Sequence, residues 1–367
     1  MEEGEPLTNS NNIINNNNHI NNNNDTVLYN ASHNINAYYY YMDEEAVNRL
    51  LFYYVLWTFV CPIIFSIIIA AGTVGNALVI YVILSRSAMQ TVTNILLLNL
   101  AISDVAFLLI CVPLTAYKYV AATWPFGDPM CKLVNYVIYV TAYVTVYTLV
   151  AISVLRYLTV VHNNETARYR TRRNVVLVNA VIWLVILAVN VPSVLIQEVK
   201  RFDDNFSYCG LSDGTTNAFF LTFFIFGYAL PLFVICLLYL VVLCHLTRAG
   251  ASTAMEQTRS RTARASKVII LVIAIFTVSW LPQHVNQMLS AYGTVPEGKA
   301  YEVFRILCNC MAYGNSCANP VIYNFVSKDF KKGFKEVVGC KKRTPERRRN
   351  DDADLELNGE VARAAIL

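Results

Sequence analysis

Apolar residues along this chain gather into seven long stretches, at about 55–84, 94–117, 130–162, 173–196, 217–246, 265–292 and 301–325. Each meets the roughly 20 residues that a helix needs to cross a hydrocarbon core about 30 Å thick. Backbone groups in lipid must pair within their own segment, which selects helices; a membrane barrel would show alternating segments of about ten residues instead. The pattern predicts an all-α membrane protein, a seven-transmembrane helix bundle over residues 51–326. Residues 1–50 carry asparagine runs at 15–18 and 21–24 and bury too little apolar surface to offset their ordering entropy, so they read as a disordered tail. Beyond the bundle, 327–340 contains SKDFKKGFKEVV. Its Phe330, Phe334 and Val337 fall at helical spacing between Lys328, Lys331, Lys332 and Lys335, predicting a short amphipathic helix on anionic inner-leaflet lipid. Cys340 follows, either palmitoylated or a free thiol. Residues 341–367 read as a disordered cytoplasmic tail.

Composition agrees with lipid as a solvent. The chain is 56% hydrophobic and 15% charged, against about 25% charged for soluble domains. Its net +4 hides an asymmetry. The tail and the loops after spans two, four and six hold 7 basic residues, and the opposite side holds the remaining 22 of 29. The positive-inside rule then puts the N-terminus outside the cell, in a plasma-membrane topology. The glycosylation acceptors Asn24, Asn30 and Asn205 fall outside as well. Asn164-Glu165-Thr166 also matches but falls in the cytosol, where it stays unmodified. The outer face carries 14 acidic residues, either steering a cationic ligand or simply solvated. Met1-Glu2-Glu3 is unlike a basic signal-peptide start, so the first helix is expected to act as its own membrane signal. Ten cysteines in 367 residues are too dilute for a disulfide scaffold, and none has zinc spacing.

Polar groups inside spans are expensive and point to function. Asp104 sits mid-span with Asn76, Asn315 and Asn319 at similar depth, and two readings stay open: a sodium site, or a satisfied hydrogen-bond network with no ion. Pro113, Pro192, Pro231, Pro282 and Pro320 each remove an intrahelical hydrogen bond, which suits a bundle that changes shape.

The motifs fall in a definite order: Gly75-Asn76, Leu100-Ala101-x-x-Asp104, Trp124-x-Phe126-Gly127 before Cys131, Arg156-Tyr157, Trp183, Pro231 with Tyr239, Ser279-Trp280-Leu281-Pro282, and Asn319-Pro320-Val321-Ile322-Tyr323. Residues 55–338 resemble the rhodopsin-like (class A) G-protein-coupled receptors. Ser279–His284, Phe304-Arg305-Ile306 and Met311–Ser316 are most similar to galanin receptors and to the A-type (FGL-amide) allatostatin receptors. Kisspeptin- and somatostatin-like receptors are the alternative.

The resemblance implies a Cys131–Cys209 disulfide and a neuropeptide ligand touching Asn135, Ile138, Gln283, His284, Gln287, Phe304 and Arg305. His284 is equally readable as a packed bundle histidine. Ile138 stands where amine receptors of this family carry an aspartate, and span seven has no lysine for a retinal Schiff base. The implied activation switch is Phe276, Trp280, Pro282, Asn319, Pro320 and Tyr323. Arg156, Tyr157, Tyr239, Arg264 and Lys267 would meet a heterotrimeric G protein, with Gi/o favoured. Arrestin would depend on Ser252, Thr253, Thr258, Ser260 and Thr262. The family usually has an acidic residue before the span-three arginine, and here it is Leu155. The missing carboxylate predicts raised basal signalling, unless another group holds Arg156.

No cofactor is expected beyond a sodium ion, and no nucleic-acid partner. A transporter would usually show inverted repeats and broken helices around a midplane site; no repeat is visible. Gly210–Gly214 matches G-x-S-x-G, but a nucleophile elbow needs a strand-to-helix turn on an α/β sheet, and this match lies in an outer loop. The chain is not expected to be an enzyme.

Overall fold

The computed structural model describes residues 44–337 and Gly339, except 122, 203–205, 249–252, 294 and 297; for 247–268 and 326 it describes the backbone alone. It divides into two compact units, 1–54 and 55–367. Residues 44–50, assigned to the tail from sequence, are helical and belong to Glu44–Val55. The glycosylation candidates Asn24, Asn30 and Asn205, the palmitoylation candidate Cys340 and the tail 341–367 lie outside the described residues.

The second unit carries seven long helices: α1 Cys61–Leu84, α2 Val92–Val120, α3 Gly127–Val160, α4 Arg172–Leu195, α5 Thr216–Leu246, α6 Thr253–Ala291 and α7 Lys299–Val326. The amphipathic α8, Lys328–Val337, follows. Six of the long helices are apolar enough to span a membrane by composition alone, and α7 is not among them. Its buried face holds Asn309, Asn315, Ser316 and Asn319, which lower its mean hydropathy. Burying those amides inside the bundle, against partners on other helices, is what lets a polar helix occupy membrane depth.

Proline shapes the helices as expected. Phe107–Cys111 and Ile225–Ala229 are π-helical turns immediately before Pro113 and Pro231, where the missing N–H and the ring force the ladder wider. Pro192 sits where α4 breaks at Asn190 and restarts at Val191. At Gly75 an added Cβ would stand 3.0 Å from Pro320 of α7, so α1 and α7 approach closely there and a side chain would require Pro320 to give way by a few tenths of an ångström.

α3 is the axis of the bundle, packing on α2, α4 and α5, while α7 packs on α1 and α6. The second outer loop is a hairpin that the sequence pattern did not announce. β1 Gln197–Arg201 pairs antiparallel with β2 Ser207–Leu211, with Val199 opposite Cys209. Cys61 of α1, Cys111 of α2 and Cys308 of α7 are buried, but Cys236 and Cys244 are exposed on α5, where lipid serves a small apolar side chain as well as a core does.

Candidate functional site

Functional side chains lie at three depths. At the outer end, Cys131 of α3 is disulfide-bonded to Cys209 of β2, which fastens the hairpin over the bundle. Asp128 Oδ1 accepts from the Val199 amide at 3.0 Å, and the Trp124 amide donates to the Ser207 carbonyl at 3.0 Å. Trp124 Nε1 also donates to the Gly127 carbonyl. Beneath this cover is a pocket of about 290 Å³ lined by Lys118, Tyr119, Trp124, Tyr208 and Arg305, among others, and by no acidic side chain among the described residues. The Lys118 ammonium stands 5.3 Å from the Trp124 ring centroid. The Arg305 guanidinium lies 5.7 Å from the Tyr119 ring and bonds Glu302 Oε2 at 2.7 Å.

Of the seven predicted ligand contacts, only Arg305 lines this pocket. Asn135 donates to the Cys131 carbonyl at 2.8 Å and lies 3.0 Å from Cys209 Sγ, bracing the disulfide. Ile138 packs against the core. Gln283 and Gln287 each have a side-chain oxygen buried without a partner, and Phe304 lies against Tyr301. His284 is 1% exposed, enclosed by Phe223, Phe224, Tyr228 and Trp280 at centroid distances of 4.8–6.1 Å. It is thus packed among aromatic rings, one of which, Trp280, belongs to the implied switch. Lys118 and Tyr119 went unnoticed as site residues because a lone Lys-Tyr pair at a helix end carries no pattern.

At mid-depth, Ser316 Oγ donates to Asp104 Oδ1 at 2.7 Å and Asn319 Nδ2 to Oδ2 at 2.9 Å. Asn76 donates to the Gly72 and Ser316 carbonyls at 2.9 and 2.8 Å, joining α1, α2 and α7. A cavity of about 10 Å³ beside Asp104 is lined by Ser103, Thr145, Asn315 and Trp280 among others; that is about the smallest space that holds one water. A carboxylate with hydroxyls and an amide around it is a hard-oxygen donor set, and it fits sodium without excluding a water-filled network. Trp280 forms one wall, with Phe276 a turn deeper at 6.0 Å. Five residues before Pro282, the Thr277 carbonyl accepts from Tyr228 at 2.9 Å.

At the inner end Leu155 is buried in the core. Arg156 has no acidic partner among the described residues, and its Nε is buried without any hydrogen bond. Tyr239 stands within electrostatic reach of it. Tyr157 Oη bonds His162 Nε2 at 3.0 Å, and His162 Nδ1 pairs with Glu165 at 2.9 Å. Tyr323 is buried with its hydroxyl unpartnered and stacks on Phe330 of α8 at 5.3 Å. Pro320 lies inside α7, and the side chains of Arg264 and Lys267 are outside the described residues.

Residues 75–323 match the family described as 7 transmembrane receptor (rhodopsin family). The chain belongs to this family. Three relatives sharpen the placement. A galanin receptor type 1 of Rattus norvegicus is 36% identical over 289 residues, covering 77% of this chain and 83% of the relative. An allatostatin-A receptor of Bombyx mori is 36% identical over 289 residues, covering 77% and 80%. A somatostatin receptor type 5 of Rattus norvegicus is 32% identical over 282 residues, covering 76% and 77%. The chain is therefore a multi-pass membrane receptor of the peptide-binding, G-protein-coupled kind, not an enzyme.

Proposed function

We propose that the chain is a plasma-membrane receptor, N-terminus outside, for a neuropeptide of the allatostatin-A (FGL-amide) or galanin type, and that it signals through Gi/o. The equal identity to a galanin receptor and to an allatostatin-A receptor over three quarters of the chain carries this reading. The peptide end enters beside Arg305, Phe304, Gln283 and Gln287, with Asn135 and Ile138 beneath it. A ligand can shift the bundle only by preferring one state. The preferred state rotates α6 at Pro282, with Trp280 and Phe276 moving against Asn319, Pro320 and Tyr323. This frees Arg156 to meet Tyr239, Tyr323 and the G protein beside Tyr157, Arg264 and Lys267. Sodium at Asp104 holds the resting state, and arrestin docks after phosphorylation of the inner loop before α6.

The test is expression in cultured cells with a panel of amidated neuropeptides, reading G-protein activation. A nanomolar response to FGL-amide or galanin peptides, lost in Arg156→Ala at unchanged surface expression, is expected. Silence toward both classes from surface-expressed protein, with a response to a somatostatin-type peptide, would overturn the ligand assignment.

A further inference from the structure

The outer pocket holds a charge that nothing beside it answers. Lys118, in the last turn of α2, is partly buried. Its ammonium faces the Trp124 ring at 5.3 Å and meets no carboxylate among the described residues. Trp124 is fixed in place, because its Nε1 donates to the Gly127 carbonyl at 2.9 Å and its amide to Ser207 Oγ at 3.1 Å. Arg305 lines the same space. Its guanidinium lies against the stacked rings of Trp57 and Tyr119, 5.3 and 5.7 Å from their centroids. Glu302, which does not line the pocket, accepts from one terminal nitrogen and leaves Nε buried without a partner. Two cations and no acid thus face about 290 Å³ of space.

We infer that this pocket receives an acidic side chain of the activating peptide and that Lys118 is the residue selecting for it. The inference rests on the peptide-receptor reading above and sharpens it: an amidated end is uncharged, so the carboxylate belongs to a side chain upstream of that end. Charge is the first argument. A cation drawn out of water costs free energy until an anion pairs with it, and a carboxylate set between Lys118 and the free Nε of Arg305 makes short, charge-assisted bonds. Surroundings are the second. Tyr119, Trp124 and Tyr208 wall the space, and aromatic walls that displace water strengthen each charge inside them. Size is the third. The pocket is at the lower edge of the roughly 300–1,000 Å³ that enclose a whole drug-sized ligand, so it takes a side chain rather than a peptide, while a bare inorganic anion would leave most of it unfilled. The sign of the lysine's effect on stability separates the roles. A lysine kept for the fold destabilises the protein when removed; one kept for a ligand stabilises the empty receptor when removed.

The experiment has two arms. In the first, the full-length receptor in phosphatidylcholine nanodiscs is melted without peptide. Lys118→Met is expected to raise Tm by about 2 °C or more. Millimolar N-acetyl-aspartate amide should raise the parent's Tm, N-acetyl-asparagine amide should not, and neither should move Lys118→Met. In the second, cells expressing the receptor meet FGL-amide peptides in which one Asp or Asn is walked through the positions upstream of Phe-Gly-Leu. At one position Asp should exceed Asn in potency about tenfold or more. That preference should vanish in Lys118→Met, persist in Lys118→Arg and turn to favour Lys in Lys118→Glu. A lower Tm in both Lys118→Met and Lys118→Gln, with no discrimination between the two probes, would make the lysine structural and overturn the inference. An equal gain in Tm from sodium chloride at matched ionic strength would overturn it in favour of an inorganic anion. Silence toward every peptide would sink the ligand class proposed above, and the nanodisc arm would still decide the acid site.

Discussion

The two ends of the bundle are held in opposite ways. At the outer end the second loop is tied down by a disulfide, a paired hairpin, and bonds from Trp124, Asp128 and Asn135 to the hairpin or its anchor. At the inner end, between α3, α5 and α7, the Nε of half-buried Arg156 and the hydroxyl of buried Tyr323 are out of solvent and bond to nothing. A buried polar group without a partner costs about 1–3 kcal/mol, at Gln283 and Gln287 of the outer end as much as at Arg156 and Tyr323; what sets the inner cleft apart is that no disulfide or paired hairpin fastens it among the described residues, so it is the freer to rearrange. The lesson is directional. A receptor needs a stable frame where the ligand arrives and a poised one where the partner docks.

The largest effect should come from untying the frame. Cys131→Ser or Cys209→Ser is expected to remove about 2–5 kcal/mol, the usual loss for a native disulfide, and with it most surface expression. Flow cytometry of tagged receptor checks this; normal surface levels with full response would show that the hairpin holds itself.

One firm tie does exist on the cytoplasmic side, away from the poised cleft. Arg86, at the inner end of α1, bonds Glu336 of α8 at 2.8 Å, with both side chains under a tenth exposed. Removing one partner of such a pair strands a buried charge at about 3–5 kcal/mol. Arg86→Ala should therefore lower the receptor's thermal stability in detergent, and Arg86→Leu with Glu336→Leu should restore much of it. Equal loss in single and double variants would mean that the pair only decorates α8.

The mid-depth cluster links the two ends. Asp104→Asn removes the charge and leaves one acceptor oxygen for the two donors Ser316 Oγ and Asn319 Nδ2, so one of them must reorient. Agonist affinity is expected to lose its dependence on sodium concentration, measured by ligand binding in sodium against N-methylglucamine buffer. An unchanged sodium response would favour the water-filled network.

The sequence announced these features unevenly, for physical reasons. Spans were legible because lipid demands long apolar helices, and Asp104, Asn76 and Asn319 because charge and amides inside a span stand out. Even so, α7 reads as apolar only by tolerance, since its amides are hidden by packing that no single-helix pattern reports. The hairpin escaped because β1, Gln197–Arg201, mixes Glu198, Lys200 and Arg201 without alternation; what holds it is Cys209, across the sheet. His284 illustrates the limit most sharply. Its position in the span suits a ligand contact, and the four rings packed around it were not legible from the span's own pattern.

Next in size is the poised end itself. Leu155→Asp would give Arg156 the carboxylate it lacks, and about 1 kcal/mol of pairing would shift a two-state balance about fivefold. Ligand-free G-protein activation should fall by that factor at equal expression. No change would mean that Arg156 is already restrained without an acid.

The smallest effect belongs to the outer rim and tests whether charge there matters to the frame at all. Lys200 of β1 bonds Asp213, which is nearly fully exposed, and that bond raises the lysine pKa above its ordinary 10.5. A raised folded-state value means that the pair stabilises fully below 10.5 and fades as pH rises through the shifted value. Between pH 6 and 9 the lysine stays charged, so thermal stability should be flat from this source. Asp213→Asn removes an exposed pair whose charges water already screens. Surface expression and peptide potency should match the parent chain at pH 7. A clear loss of either would show that the rim carries part of the load assigned here to the disulfide, and the contrast between the tied outer end and the poised inner end would then rest on electrostatics as well as on covalent bonding.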